Sequence, residues 1–204
     1  GVFGELPSEE ELSSIQHEQA TLVLADDGSL IGKVFAEDRT NVRYDDLPRH
    51  LIDALVSTED ARFFSHQGVD GRSYVRVFFR TLLGGDKSGG GGSTISQQII
   101  KNLYGRQRHG LLTVPVNKMK EALVAQRLER MLTKNDVLVL YFNSVPFGEN
   151  TYGIESAAQR FFGKPAKRLT VEEGAVLVGM LKANTTYNPR LHPDKAKGRR
   201  DQVL

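Results

Sequence analysis

Glu59 lies where an amphipathic helix would normally carry an apolar residue. It follows Ile52 and Leu55 at helical spacing, and Val56 and Phe63 extend the same stripe on either side of it. A carboxylate on such a face is costly unless it is paired or functional. Burial would raise its pKa and suit it to general acid or base chemistry near neutral pH. The alternatives are a glutamate at a frayed helix end or one paired with a nearby arginine.

Glu121 repeats this pattern in a second predicted helix, over 117–132. The apolar face around it is formed by Val124, Ala125, Leu128 and Leu132. Basic side chains flank that face: Lys118, Lys120 and Arg127. Because a carboxylate replaces an apolar residue in two separate helices, the sequence predicts a cleft lined by acidic groups.

A polar stripe marks a third helix, predicted over 94–103. A rotation of about 100° per residue puts a hydroxyl, two amides and an ammonium in one arc: Thr94, Gln97, Gln98 and Lys101. Ser93 follows four glycines and is predicted to be the N-cap. Such a helix N-terminus suits an anionic, oxygen-rich ligand such as phosphate or diphosphate. A solvated polar face is the alternative.

The elements that must position these side chains are mainly helical. Two β-rich runs around Asp-Asp-Gly-Ser predict a hairpin over 21–35. Further helices are predicted over 134–143 and 153–162, and Gly163 is placed to end the second of them. The segment 171–183 is apolar on nearly every side and is predicted to be the buried central helix.

Composition excludes several classes of protein. The 27 basic residues nearly balance 25 acidic ones, which argues against a general nucleic-acid binder. Cysteine is absent, and the five histidines lack metal-ligand spacing, so no protein metal site is predicted. No run approaches the ~20 apolar residues of a membrane span, and no signal peptide opens the chain. We expect either a soluble protein or a piece of an anchored one.

These stretches together resemble the peptidoglycan glycosyltransferase domain of class A penicillin-binding proteins. The family's first motif, EDxxFxxHxG, is matched by Glu59, Asp60, Phe63, His66 and Gly68. The second, GxSTIxQQxxKN, is matched by Gly92 (or Gly91), Ser93, Thr94, Gln97, Gln98, Lys101 and Asn102. The third, RKxxEAxxAxxLE, is matched by Lys118, Glu121, Ala122, Ala125, Leu128 and Glu129. Segments 134–164 and 171–189 are similar to the fourth and fifth.

Two positions depart from the family pattern. Asn117 stands where the third motif begins with arginine, so one cation expected near the substrate diphosphate is missing. Lys118, Lys120 or two arginines of the preceding loop, Arg106 and Arg108, are the candidates to replace it. In the fifth motif Ala183-Asn184 stands in place of Ala-Pro.

The resemblance implies a lysozyme-like helical head with a smaller, membrane-facing jaw, roughly over 70–115. Residues 1–40 are then an N-terminal linker with a β-hairpin, and 41–204 are the glycosyltransferase domain. The C-terminal segment stops within a predicted helix, which suggests a downstream domain such as a transpeptidase, with a monofunctional enzyme as the alternative. The arginine-edged run 74–83 and the segment 111–114 are predicted to dock on the membrane.

The resemblance also implies the reaction, polymerisation of lipid II by an inverting attack that releases undecaprenyl diphosphate. Glu59 would be the general base, and Glu121 would orient cations or hold a divalent ion such as Mg²⁺ or Mn²⁺ at the diphosphate. Asp60, Phe63 and His66 would contact substrate and shape their loop. The groups expected to bind the diphosphate are Gly92, Ser93, Thr94, Gln97, Gln98, Lys101, Asn102, Lys118 and Lys120.

The implied partners are lipid II, the growing glycan strand, the membrane surface and moenomycin-type inhibitors, with no nucleic acid. The implied location is the periplasmic face of the bacterial cytoplasmic membrane, with the N-terminal anchor lying outside this chain. Two alternatives remain. A lysozyme-like glycan-cleaving enzyme would also use carboxylates, but it has little need of a diphosphate site. A non-catalytic module that binds lipid diphosphates is suggested by Asn117.

Overall fold

The computed structural model of the chain describes residues 6–12, 21–24, 30–34, 41–72, 92–105 and 113–204. The chain divides into two compact units. The first unit comprises Gly1–Glu37 and Arg62–Val137, and the second unit comprises Asp38–Ala61 and Leu138–Leu204. Because the chain passes between the units more than once, neither unit is a single continuous segment.

Helices dominate the described part of the chain, as the sequence predicts. In chain order the elements are β1 (Thr21–Leu24), β2 (Leu30–Val34), α1 (Arg49–Glu59), α2 (Ile95–Tyr104), α3 (Thr113–Met131), α4 (Lys134–Ser144), β3 (Pro146–Gly148), β4 (Thr151–Tyr152), α5 (Ile154–Phe162), α6 (Val171–Met180) and α7 (Pro193–Val203). Short 3-10 turns lie at Tyr44–Asp46, Phe63–Ser65 and Ala166–Arg168. No helix in the described ranges has both the length and the apolar character needed to cross a bilayer.

The predicted N-terminal hairpin is present in the first unit. Strands β1 and β2 pair antiparallel, from Thr21 opposite Val34 to Leu24 opposite Leu30, with a register shift between Val23 and Leu24. The pairing joins the two β-rich runs on either side of the predicted turn. The hairpin prediction is therefore confirmed.

Helices α2 and α3 pack against each other in the first unit and enclose its apolar core. The buried side chains of this core are Ile95, Ile99, Ile100, Val124, Ala125 and Leu128. A tight loop also meets α3 at Gly68, whose φ is +79° and where an added Cβ would lie 2.5 Å from the carbonyl oxygen of Ala125. Only glycine fits this approach without moving the backbone.

A short N-terminal segment also belongs to the first unit. The chain forms a helical turn at 9–12, and Leu12 at its end is 1% exposed. The Arg127 side chain of α3 donates to the Pro7 carbonyl oxygen at 3.2 Å. This segment lies in the range predicted to be a linker, and it contributes an apolar side chain to a folded unit.

The second unit is built around α6, as its apolar sequence predicts. Its residues Ala175, Leu177, Val178 and Met180 are buried. Helices α1 and α7 both pack on α6. The contact with α7 is close at Gly179, where an added Cβ would lie 3.0 Å from Cγ of Arg199. Helix α5 ends at Gly163 in the left-handed conformation (φ 65°, ψ 28°), so the predicted C-terminal glycine is confirmed.

One helix is shorter than its pattern indicates. The stripe Ile52–Leu55–Glu59 was expected to continue to Phe63, but α1 ends at Glu59. The backbone of Asp60 is no longer helical (φ −155°, ψ 69°), and Phe63 lies in the separate 3-10 turn. The prediction that the helical stripe continues to Phe63 was therefore wrong, because residue spacing alone cannot show where a helix ends. The run 74–83, the loop 84–91 and residues 111–112 lie outside the described residues, as does most of the predicted jaw.

Candidate functional site

The N-terminus of α2 is closed by a capping box. Thr94 is the N-cap: its Oγ1 accepts from the Gln97 backbone N–H at 3.2 Å, and its own N–H donates to Gln97 Oε1 at 3.0 Å. The prediction that Ser93 is the N-cap was wrong. A threonine followed three residues later by glutamine satisfies two backbone groups at once, whereas the residue three positions after Ser93 is Ser96.

This cap is also tied to the loop of the first motif. Thr94 Oγ1 donates to the carbonyl oxygen of Gly68 at 2.6 Å, and Thr94 and Gln97 are only 2% and 0% exposed. Their polar atoms therefore serve the helix and the loop. These two residues hold the start of α2 in place against the loop.

The Ser93 hydroxyl is instead bonded to Lys118, a residue of α3. Lys118 Nζ donates to Ser93 Oγ at 2.6 Å and to Glu121 Oε2 at 2.7 Å. Glu121 is 3% exposed, in an apolar face whose members Val124 and Ala125 are fully buried, as the sequence predicts. An ammonium beside a buried carboxylate offsets the cost of burying that charge. Ser93, Lys118 and Glu121, here called the lysine cluster, thus join the second and third motifs.

The remaining predicted binding groups of the first unit differ in exposure. Lys101 and Asn102 are exposed on α2, and Gln98 is half-buried. Lys120 and Gly92 are also half-buried. Asn117, which stands where the family pattern has arginine, is 4% exposed. Lys101, Lys118 and Lys120 therefore supply positive charge to this unit, and a neutral amide occupies position 117.

Glu59 and Asp60 belong to the second unit. Glu59 is the last residue of α1 and is half-buried, and the Asp60 backbone N–H donates to the Val56 carbonyl oxygen at 3.0 Å. Asp60 itself is 7% exposed. The position of Glu59 at the end of the helix agrees with one alternative drawn from the sequence, and the residue is only partly buried there.

Tyr141 is a neighbour of Glu59 that sequence reasoning missed. It lies in α4 and is fully buried. Burial first, and then the negative charge of Glu59, raises the pKa of its hydroxyl well above the ordinary value for tyrosine. Tyr141 therefore keeps its proton at neutral pH. The available signal was a tyrosine within the apolar run VLVLYF, which by itself reads as core packing.

The rest of the first motif lies in the first unit. Phe63 is fully buried, and the edges of its ring meet His66 and Phe64 at centroid distances of 6.2 and 5.1 Å. Phe64 is 54% exposed. Phe63 thus anchors the loop, whereas Phe64 leaves its ring at the surface.

Asp70 is a second residue that the sequence did not single out. It is 6% exposed, and Arg62 binds both of its carboxylate oxygens, with Nε donating to Oδ2 at 3.1 Å. The Arg72 backbone N–H donates to Oδ1 at 3.1 Å. This carboxylate closes the loop that carries His66 and Gly68. Its only sequence signal is an acid two residues after that glycine.

Metal binding finds no support in these contacts. Within the described ranges, no three His, Asp or Glu side chains are grouped as a metal site would require. The carboxylate of Glu121 is engaged by Lys118 at 2.7 Å. The described contact of Glu121 is thus that of an ammonium–carboxylate pair.

Comparison with known proteins gives a consistent family. Residues 27–204 match a family model described as transglycosylase. The chain is 40% identical over 182 residues to penicillin-binding protein 1F of Bacillus subtilis, covering 89% of the chain and 25% of that protein. It is 39% identical over 199 residues to penicillin-binding protein 1A of Pseudomonas aeruginosa, covering 98% and 24%.

Two further relatives carry the same name. Penicillin-binding protein 1A of Escherichia coli is 36% identical over 200 residues, covering 98% of the chain and 23% of that protein. The crystal structure of penicillin-binding protein 1A from Haemophilus influenzae matches with a TM-score of 0.44 and 24% identity, over 91% of this chain and 17% of that one. The chain thus spans about a quarter of the length of the curated relatives it matches.

Proposed function

Because the chain belongs to the transglycosylase family, we propose that this peptidoglycan glycosyltransferase domain polymerises lipid II, with Glu59 as the general base. The observation that carries the proposal is the lysine cluster at the start of α2. There the Lys118 ammonium bonds both the Ser93 hydroxyl and the buried Glu121 carboxylate. A diphosphate needs such donors, whereas hydrolysis of a neutral glycan does not.

The proposed reaction joins two sugar units. Glu59 takes the proton of the acceptor's 4-hydroxyl, and the oxygen attacks the anomeric carbon of the donor. The bond from that carbon to the diphosphate oxygen breaks, so the configuration inverts and undecaprenyl diphosphate leaves. Glu59 supports this role by its place at the end of α1, where the residue keeps part of its surface exposed.

We propose that the first unit binds the leaving diphosphate. Lys101, Lys118 and Lys120 would stabilise its negative charge, and Ser93 and Gln98 would donate hydrogen bonds. Asn102 and the backbone at Gly92 complete this set. Glu121 orients Lys118 rather than binding substrate, because its carboxylate is already paired with that ammonium at 2.7 Å. A divalent cation at the diphosphate would have to be held mainly by the diphosphate itself.

The other parts of the first motif are proposed to shape the site. Thr94 and Gln97 fix the start of α2. Phe63 and His66 form the inner wall of their loop, and Asp60 ends α1 directly after the proposed base. The growing glycan strand, moenomycin-type inhibitors and a membrane surface bound through the region 70–115 are proposed partners. The periplasmic face of the cytoplasmic membrane is the proposed location.

The test is incubation with labelled lipid II in detergent, with the products separated by size. We expect polymer from the parent chain and a loss of about 10²–10⁴-fold in rate for Glu59→Gln, the usual contribution of a general base. Glu172→Gln, an exposed glutamate of α6, is the matched control and should polymerise at the parent rate.

Two results would contradict the proposal. Shortening of preformed glycan by the parent would favour the glycan-cleaving alternative. Tight binding of a diphospholipid without polymer would favour the non-catalytic module.

A further inference from the structure

A second buried carboxylate, Glu129, lies on α3 with only 2% of its side chain exposed. Its two oxygens have different partners. Oε1 accepts from the hydroxyl of Ser96, which is fully buried, and Oε2 accepts from Lys134 Nζ at 2.6 Å. Neither partner belongs to the lysine cluster. The proposed reaction assigns no role to Glu129, Ser96 or Lys134.

Ser96 lies on the back of α2. At about 100° per residue it is roughly 140–160° around the helix from Gln98 and Lys101. Glu129 therefore binds the first turns of α2 on the side opposite the polar stripe. On the front, the same turns are held by the capping box and by the bond from Thr94 to the Gly68 carbonyl oxygen.

Lys134 extends the contact to the first motif. Its Nζ lies 4.2 Å from the centroid of the Phe63 ring, and the same ring meets His66 edge-on. A cation over an aromatic face is attracted by the ring's quadrupole. One carboxylate thus connects α2, α3 and the loop of Phe63 within the first unit.

We propose that Glu129 is a positioning residue for donor binding: through Ser96 it fixes the start of α2 so that Ser93, Gln98 and Lys101 meet the diphosphate together. This rests on the proposed function of the same site. Glu129 does not itself touch the substrate. These groups bind the donor diphosphate before reaction and stabilise its charge as it leaves, so misplacing them should weaken donor binding as well as slow the reaction.

The experiment compares Ser96→Ala, Glu129→Gln and the double variant, in the full 204-residue chain. Donor KM and kcat are measured with lipid II, and Kd is measured separately with undecaprenyl diphosphate. Ser96→Ala should raise KM and Kd by about three- to tenfold, the effect of losing one hydrogen bond, and kcat should also fall, because the same groups stabilise the leaving diphosphate. Glu129→Gln should raise KM and Kd further, and the double variant should be no worse than Glu129→Gln.

Lys164→Met is the matched control, because Lys164 forms a similar pair with Glu173 in the second unit, at 2.8 Å. Its KM and Kd should equal those of the parent, and the thermal midpoint of each variant shows how much effect comes from lost stability alone. If Ser96→Ala and Glu129→Gln lower that midpoint but leave KM and Kd unchanged, Glu129 is only a structural ion pair and the inference is overturned.

The two proposals can fail separately. A parent chain that binds undecaprenyl diphosphate but makes no polymer contradicts the proposed reaction, and the Kd values of the variants still decide the role of Glu129. A parent that neither binds nor polymerises contradicts both. Additive effects of Ser96→Ala and Glu129→Gln on Kd would also overturn the inference, since they would mean that the two residues act independently.

Discussion

The two units contain the same kind of ion pair in different surroundings. In the first unit, the carboxylates paired with Lys118 and Lys134 have side chains that are 4% and 2% exposed. In the second unit, the carboxylates paired with Lys164 and Arg160 are each 21% exposed. The pair distances are alike, between 2.5 and 2.8 Å, so burial is what separates them.

This difference in burial indicates which pairs have a role beyond stability. Surface ion pairs contribute about 0–1 kcal/mol to the free energy of unfolding, so losing one changes stability little. A buried pair offers no clear gain over an apolar pair of similar volume, and its presence therefore needs another reason. In the first unit, the two buried lysine pairs touch the start of α2, where the diphosphate site is proposed, whereas the buried pair of Arg62 and Asp70 closes the loop of the first motif.

The largest effect is expected from breaking the pair of Lys118 and Glu121. Glu121→Leu leaves the Lys118 ammonium beside an apolar face, which should lower the free energy of unfolding by about 3 kcal/mol and the polymerisation rate by about 10²-fold. Chemical denaturation and the lipid II assay measure the two effects.

The double variant Lys118→Met with Glu121→Leu should recover most of the stability but none of the activity. Recovery of both would mean that the buried charges are not needed for the reaction. Lys164→Met in the second unit should change the free energy of unfolding by no more than about 1 kcal/mol, with activity unchanged.

The next comparison concerns two glycines that both have a positive φ, Gly68 and Gly163. Gly68→Ala would place a Cβ 2.5 Å from the Ala125 carbonyl oxygen, whereas Gly163, with φ +65°, has no atom within 4 Å of the added Cβ. Gly163→Ala should therefore cost only the conformational term, about 1 kcal/mol, and Gly68→Ala about 1–3 kcal/mol more.

Thermal unfolding of both variants measures this difference. Equal losses would show that the loop of the first motif can move away from α3 without strain. Gly68→Ala should also lower activity, because the displaced carbonyl oxygen is the acceptor of the Thr94 hydroxyl.

The smallest effect is a pH dependence in the second unit. Hydrogen bonds from Arg160 and then Asn188 lower the pKa of Glu149 below its ordinary value. The folded state therefore holds the ionised form more strongly than the unfolded state does. The ionised Glu149 therefore adds to the free energy of unfolding above the pKa of the unfolded state, about 4.3. This contribution is lost as the pH falls through the lower pKa of the folded state.

Glu149→Gln should accordingly unfold at a lower temperature than the parent at pH 6, and the gap should close as the solution is acidified below about pH 4. The thermal midpoints of both proteins across this pH range are the measurement. A gap that stayed constant down to the lowest pH would mean that the carboxylate's charge is not what matters.

The sequence predicts the helices and the family well, because both depend on local pattern. The helices around 95–104 and 154–162 lie within a residue of their predicted bounds, and Gly163 ends the second as expected. The family resemblance drawn from five motifs is confirmed by the transglycosylase match over 27–204. The peptidoglycan glycosyltransferase class follows from the same match.

What the sequence missed depends on contacts between distant residues. Ser96 and Glu129 are 33 positions apart, and nothing in the spacing of either indicates the other. The sequence indicates only that Tyr141 is a core residue, because its proximity to Glu59 depends on the packing of α1. The end of α1 was predicted four residues too late, because periodicity continues past the point where backbone angles change. The cap of α2 was predicted one residue too early, because Gln97 pairs with Thr94 rather than with Ser93. The individual roles of the site residues stay predictions.

The close approach of α7 to α6 matters to anyone trimming this domain for expression. Most of α7 is polar and exposed, and Ala196 is its buried residue, so the segment resembles a dispensable tail. Yet α7 covers Gly179, and its removal would uncover the apolar surface of the central helix. A fragment ended before Pro193 should therefore be more readily digested by proteases and more prone to aggregate, although every residue of the lysine cluster would remain.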